Sequence, residues 1–207
     1  MMEQLACRIG RNDEEPNIEL AVQLCDTHNS EGIKEIVSGM NGTDKAVTND
    51  CIKVLYEIGE RKPKLIADYA MDFITHLLSK NNRLSWGSMC ALATIADLNP
   101  KVIYENISIV RKAYETGSVI TIDNSITVFA KLCKANSEYE ANVFPIILQH
   151  LMTCRPKEVA QHSERASICI NKNNADAFLS VLEKRKPELT DAQLKRIHKL
   201  TSKIPCA

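Results

Sequence analysis

The sequence predicts an all-α chain built from about five stacked helical hairpins, and three observations carry that expectation. Apolar residues recur at spacings of three and four along most of the chain. A register of 37 residues repeats through its middle. Branched aliphatics, Leu and Ala supply most of the apolar mass while aromatic residues make up only 5%, which suits packed helices better than a strand-rich sandwich.

The repeat is read from four columns in one register. Ile52, Met89 and Ile126 are spaced by 37, as are Leu55, Leu92 and Phe129; Ile58, Ile95 and Leu132; and Phe73, Val110 and Ile147. Pro63-Lys64-Leu65-Ile66 and Pro100-Lys101-Val102-Ile103 share the same offset. Self-similarity at this period marks a supersecondary unit that buries its apolar face by stacking on its neighbours.

Each unit reads as a helix pair. Leu65, Ile66, Tyr69, Phe73, Ile74, Leu77 and Leu78 form the apolar face of a first helix, with Asp68, Asp72, His76 and Lys80 pointing outward. After Asn81-Asn82 a second helix is expected from an N-cap at Ser85, and Asn99-Pro100 closes it and opens the next. The same reading places helices at about 16–27, 29–40, 44–60, 63–80, 84–97, 100–116, 121–134, 138–153, 157–170, 174–186 and 190–203, after a short helix at 2–9. Gly117 suits a helix C-cap and Thr121 an N-cap. Pro145 either starts the regular part of its helix or kinks it. The expected organisation is one domain over 1–207, with a capping segment at 1–15, regular repeats over about 29–190 and a basic capping helix at 190–203.

With 207 residues, 44% of them hydrophobic, the chain can bury a core without disulfides or metals. No stretch approaches the roughly 18 apolar residues of a membrane span, and the first ten residues lack the pattern of a leader, so a cytoplasmic protein that does not cross a membrane is expected. The eight cysteines, at 7, 25, 51, 90, 133, 154, 169 and 206, include no CxxC pair and fall mostly at apolar helix positions, where they act as small hydrophobes. Charge sums to zero overall but is unevenly spread. Residues 1–40 carry three basic against eight acidic side chains, and residues 184–207 seven basic against two acidic. In an elongated array the two ends keep opposite signs.

The stretch from Tyr69 to Ala96 resembles a HEAT repeat. Phe73-Ile74-Thr75-His76-Leu77-Leu78 corresponds to its first helix, Lys80-Asn81-Asn82-Arg83 to its turn, and Cys90-Ala91-Leu92-Ala93-Thr94-Ile95-Ala96 to its Ala- and Leu-rich second helix. Phe144 to Leu151 resembles another first helix, with Lys157 to Ile170 as its partner, and the similarity covers roughly 29–203. Trp86-Gly87 stands where that family favours Val-Arg. The resemblance implies a right-handed α-α superhelix with second helices on the concave side, where partners of such solenoids dock.

On that face, columns from adjacent units become neighbours. Asn49, Trp86 and Asp123 form one, and Asp50, Gly87 and Asn124 the next, with His162 following. Trp86, the sole tryptophan, beside the small residues Gly87, Ser88 and Ala91, predicts an anchoring groove with accessible backbone. Asp50, Asp123, Asn124, His162 and Glu164 are expected as its polar rim. A non-catalytic scaffold that binds a protein or peptide is the favoured function. The alternative is nucleic-acid binding through a basic C-terminal patch of Lys184, Arg185, Lys186, Lys195, Arg196 and Lys199, although that patch lacks interleaved aromatics.

Enzyme signatures are missing from the sequence: no GxxxxGK, GxGxxG, HExxH or GxSxG occurs. The di-iron hydroxylases of HEAT architecture use adjacent His-Glu pairs, and here no His precedes a Glu. The alkyl-base DNA glycosylases of similar fold use Trp with Asp on a basic concave face. Here the predicted inner face mixes Asp50, Glu57, Asp97, Asp123 and Glu164 with Lys53 and Lys131, and no basic duplex-binding surface results. His150 and Cys154 stand one turn apart on one helix, and His162 and Cys169 come from the next. That spacing permits a metal site, but without a CxxC or HxxxH pair neither a metal nor another cofactor is expected.

Overall fold

The computed structural model describes residues 1–204; Cys206 lies outside the described residues. Twelve α-helices and five short 3-10 turns account for the regular structure, with no strand among the described residues. No helix among them is long and apolar enough to cross a membrane. The chain divides into two compact units, the first covering Met1–Ser125 and the second running from Ile126 onward.

In the first unit, α1 (Glu15–Thr27), α2 (Ser30–Met40) and α3 (Lys45–Arg61) are followed by α4 (Ala70–His76), α5 (Asn82–Ile95), α6 (Pro100–Glu105) and α7 (Ile107–Thr116). The centre is α3, which packs against α1, α2 and α5, while α4 packs on α5 and α6. Its start is set by Asp44, whose carboxylate accepts from the amides of Ala46 and Val47, satisfying donors that have no partner inside a helix. Helix α8 (Val119–Ala135) carries the boundary between the units. The second unit contains α9 (Ser137–Thr153), α10 (Pro156–Ala166), α11 (Ala175–Arg185) and α12 (Asp191–Thr201). There α9 packs on α10 and α11, and α10 on α12.

The repeat columns have a direct physical counterpart. All twelve residues of the four columns spaced by 37 are completely buried. At about 1.5–3 kcal/mol for each fully buried large apolar side chain, these positions dominate the core, and their spacing is the spacing of the helix pairs.

Several boundaries differ from the sequence reading, each for a local reason. The helix expected at 2–9 reduces to a 3-10 turn, Met2–Gln4. The first helix expected at 63–80 breaks into 3-10 turns at Pro63–Leu65 and Ala67–Tyr69 before α4 begins. Ile66 leaves helical geometry at φ −120° and ψ 4°, and the Asn99 amide donates to the Ala67 carbonyl at 3.3 Å. The helix expected at 100–116 is divided at Asn106, whose side chain donates to the Val102 carbonyl at 2.9 Å and so competes with the backbone ladder. The expected 157–170 helix ends at Ala166 and finishes in a 3-10 turn, Ser167–Cys169.

Two caps move as well. Helix α5 starts after Asn81, and Ser85 lies inside it, its hydroxyl donating to the Leu77 carbonyl at 2.6 Å to close the hairpin. Helix α8 starts at Val119, and the Ser118 hydroxyl accepts the Thr121 amide. Gly117 does end α7, yet with an extended backbone rather than a left-handed one. A Cβ there would lie 2.5 Å from the Ala113 carbonyl oxygen and 2.6 Å from Thr121 Cγ2, so packing alone demands glycine. Pro145 sits inside α9, which continues past it. Both Pro145 and Ala141, whose carbonyl loses its usual donor, are exposed, so water can take the free acceptor.

Candidate functional site

The first unit carries a cluster of aromatic and charged side chains on the faces of α3 and α5, closed at one side by the start of α1. Tyr56 and Trp86 meet with ring centroids 5.8 Å apart and planes tilted by 46°, a favourable aromatic geometry. Arg83, one turn before Trp86, sets its guanidinium 5.9 Å from the indole. Lys53, one turn before Tyr56, holds its ammonium 4.8 Å from the phenol ring. Both are cation-π distances. Trp86 and Tyr56 are each half-buried.

Helical periodicity assembles the charges. Lys53 Nζ pairs with Glu57 Oε1 at 2.7 Å and with Glu14 Oε2 at 3.0 Å. Glu57 also pairs with Arg61, and Glu14 with Arg83. Only 6% of Lys53 is exposed. Burial pushes its ammonium pKa down, but Glu57, Tyr56 and Glu14 outweigh that and hold it above the ordinary lysine value. Burial likewise pushes the Glu14 and Glu57 carboxyls up, and their cationic neighbours, Lys53 and Arg83 for the first and Lys53 and Arg61 for the second, bring both below the ordinary glutamate value. Burial raises the Tyr56 phenol, with Lys53 opposing it. Lys53 and Glu57 are legible as inner-face charges in the sequence. Tyr56, Glu14 and Arg83 are not, although the Lys53-Tyr56 and Arg83-Trp86 spacings of three are their local signal.

The structure brings some of the sequence-derived site residues together and separates others. Asn124 reaches this face: its amide donates to Cys90 Sγ at 3.2 Å, one turn after Trp86. Asp123, beside it, is half-buried. Gly87 does not supply accessible backbone. It is buried with Ser88 and Ala91, because α5 approaches α3 so closely that a Cβ on Gly87 would lie 2.7 Å from Ile52 Cγ1. Asp50 accepts from the Cys7 amide and the Asn17 side chain, both at 2.8 Å, and so ties the chain's first residues to α3. His162 belongs to the second unit and is fully buried, and Glu164 accepts from Arg196 through both carboxylate oxygens at 2.9 and 2.6 Å. A fully buried His162 is not a rim residue.

The basic patch is also thinner than its composition. Arg185 is buried, donating to the Leu151 carbonyl at 2.5 Å, the Cys154 carbonyl at 2.7 Å and Glu188 at 3.1 Å. Lys186 pairs with Glu183 and Arg196 with Glu164. Of the six, Lys184, Lys195, Lys199 and the paired Arg196 are exposed.

No family model matches this chain, and no curated protein does. Among solved structures, it is similar to a crystal structure described as an engineered protein, at 18% identity, with a TM-score of 0.63 over 97% of this chain and 94% of that one. At that identity the likeness concerns the fold alone.

Proposed function

We propose that this chain is a HEAT-type repeat protein that works as a non-catalytic scaffold, capturing a peptide or protein segment against the Tyr56–Trp86 face. The observation that carries this reading is a half-exposed aromatic pair bracketed by two cations on neighbouring second helices. Trp, Tyr and Arg are the side chains that dominate binding energy at protein interfaces.

In the ion-pair cluster beside the rings, three cations, Lys53, Arg61 and Arg83, stand against two carboxylates, Glu14 and Glu57. The partner expected is therefore a segment that buries an aliphatic or aromatic side chain on Trp86 and carries an acidic residue next to it. The seven described cysteines are free thiols, in keeping with a reducing, cytoplasmic setting.

Selection from a displayed peptide library tests the reading. Peptides of that pattern are expected to bind the wild-type chain, to lose at least tenfold in affinity for Trp86→Ala, and to bind Lys195→Glu/Lys199→Glu unchanged. Loss of binding with the lysine reversal and not with Trp86→Ala would move the function to the basic end and toward nucleic acid.

A further inference from the structure

In the second unit, α9 and α10 bring together three side chains whose chemistry the scaffold role does not use. His150 Nε2 lies 2.7 Å from His162 Nδ1, and the ligand atoms of His150, Cys154 and His162 all lie within 4.8 Å of one another. We propose that His150, Cys154 and His162 form a binding site for one thiophilic divalent metal ion of the zinc type.

The site is built by helical spacing on both sides of a turn. His150 and Cys154 are separated by four residues along α9 and its C-cap, so they share one face. Arg155 and Pro156 reverse the chain, and α10 presents His162, with Glu158 one turn before it. Two imidazoles and a thiol select zinc, or cobalt as its spectroscopic substitute, over magnesium or calcium, which require oxygen ligands.

The distances are close to what coordination needs. Zinc bonds of about 2.0–2.1 Å to nitrogen and about 2.3 Å to sulfur place tetrahedral ligand atoms about 3.3–3.6 Å apart. The imidazoles must open by about 0.6 Å from their present contact, and the thiol must close in by about an ångström. On binding, the Cys154 thiol releases its proton to solvent. The ring that now donates in the His–His hydrogen bond moves its proton to its other nitrogen, so both facing lone pairs reach the metal. Three protein ligands leave the fourth position to water, the composition of an open site rather than a closed structural one. Cys169 takes no part; its neighbour is the thiol of Cys133. The sequence spacing admits this arrangement, but no CxxC or HxxxH pair marks it, because the two histidines are twelve residues apart and the pair on α9 mixes His with Cys.

Titration of the intact, chelator-stripped chain with Co²⁺ tests the site. One equivalent is expected to give tetrahedral d–d absorption together with a thiolate-to-cobalt charge-transfer band, both bleached by one equivalent of Zn²⁺. Cys154→Ser is expected to remove the charge-transfer band and weaken binding at least tenfold, and Cys7→Ser to change neither. Octahedral absorption alone, or a charge-transfer band that persists in Cys154→Ser, would overturn the proposal. A second measurement needs no variant: Zn²⁺ is expected to slow alkylation of Cys154 in the wild-type chain at least tenfold, located by peptide mass spectrometry, while Cys7 reacts as before. Equal alkylation of Cys154 with and without Zn²⁺ would also contradict it.

Discussion

Gly87 determines how Trp86 is presented. Because it carries no Cβ, α5 rests directly on Ile52 of α3, and that close approach sets the contact between Tyr56 and Trp86. Gly87→Ala is expected to cost about 1–3 kcal/mol through overpacking, read from urea denaturation, and to shift the emission of the single tryptophan as the rings separate. An unchanged midpoint would mean that the two helices are not held at this distance. A different residue-scale contrast separates structural from surface cations at the C-terminal end. Arg185 satisfies the carbonyls of Leu151 and Cys154 from a buried position, so Arg185→Ala is expected to destabilise by about 2–4 kcal/mol. The exposed Lys195→Ala should stay within about 0.5 kcal/mol in the same denaturation experiment. Composition alone assigns these two residues to one patch; only burial tells them apart.

At the scale of elements, Glu14, Lys53, Glu57 and Arg83 join α1, α3 and α5, and the sign of their pH dependence follows from the shifts. Glu14 and Glu57 titrate lower in the folded chain than the ordinary value of 4.5, so the unfolded chain takes up protons first as the pH falls. Their contribution is present above about pH 4.5 and is lost progressively as the pH drops through the folded values. Lys53, held above its ordinary 10.5, contributes throughout the neutral range. Thermal melts from pH 7 to pH 3 should therefore show an acid slope that Glu57→Gln reduces, and Lys53→Met should cost about 1–3 kcal/mol at pH 7. An acid slope identical in wild type and Glu57→Gln would remove the network from the stability of this unit. The second helices α3, α5 and α8 were legible from sequence because their apolar columns are continuous. The first helices were less so: Ile66 and Asn106 interrupt them through backbone geometry and side-chain competition that hydrophobic spacing does not record.

At the scale of the whole molecule, the spacing of 37 residues survives as twelve completely buried positions, which is why the all-helical architecture could be read before any contact was known. The site was legible only in part. Trp86 and Asn124 stood out because they sit at repeat positions that packing does not explain, and Asn124 does reach the Trp86 face. Tyr56, Glu14 and Arg83 come from three different helices, and no one-dimensional period joins them. Gly87 looked like an opening because small residues leave space on an isolated helix; between two helices the same absence of a side chain lets the backbones close. The central claim, that the Tyr56–Trp86 face captures a peptide, is tested most directly by fluorescence titration of the sole tryptophan with a peptide carrying adjacent aromatic and acidic residues, in the wild-type chain and in Tyr56→Ala, which keeps the probe. Saturable change in tryptophan emission for the wild type, with affinity at least tenfold weaker for Tyr56→Ala, is the predicted result; equal affinity for the two chains, or no change in emission while the peptide binds, would contradict it.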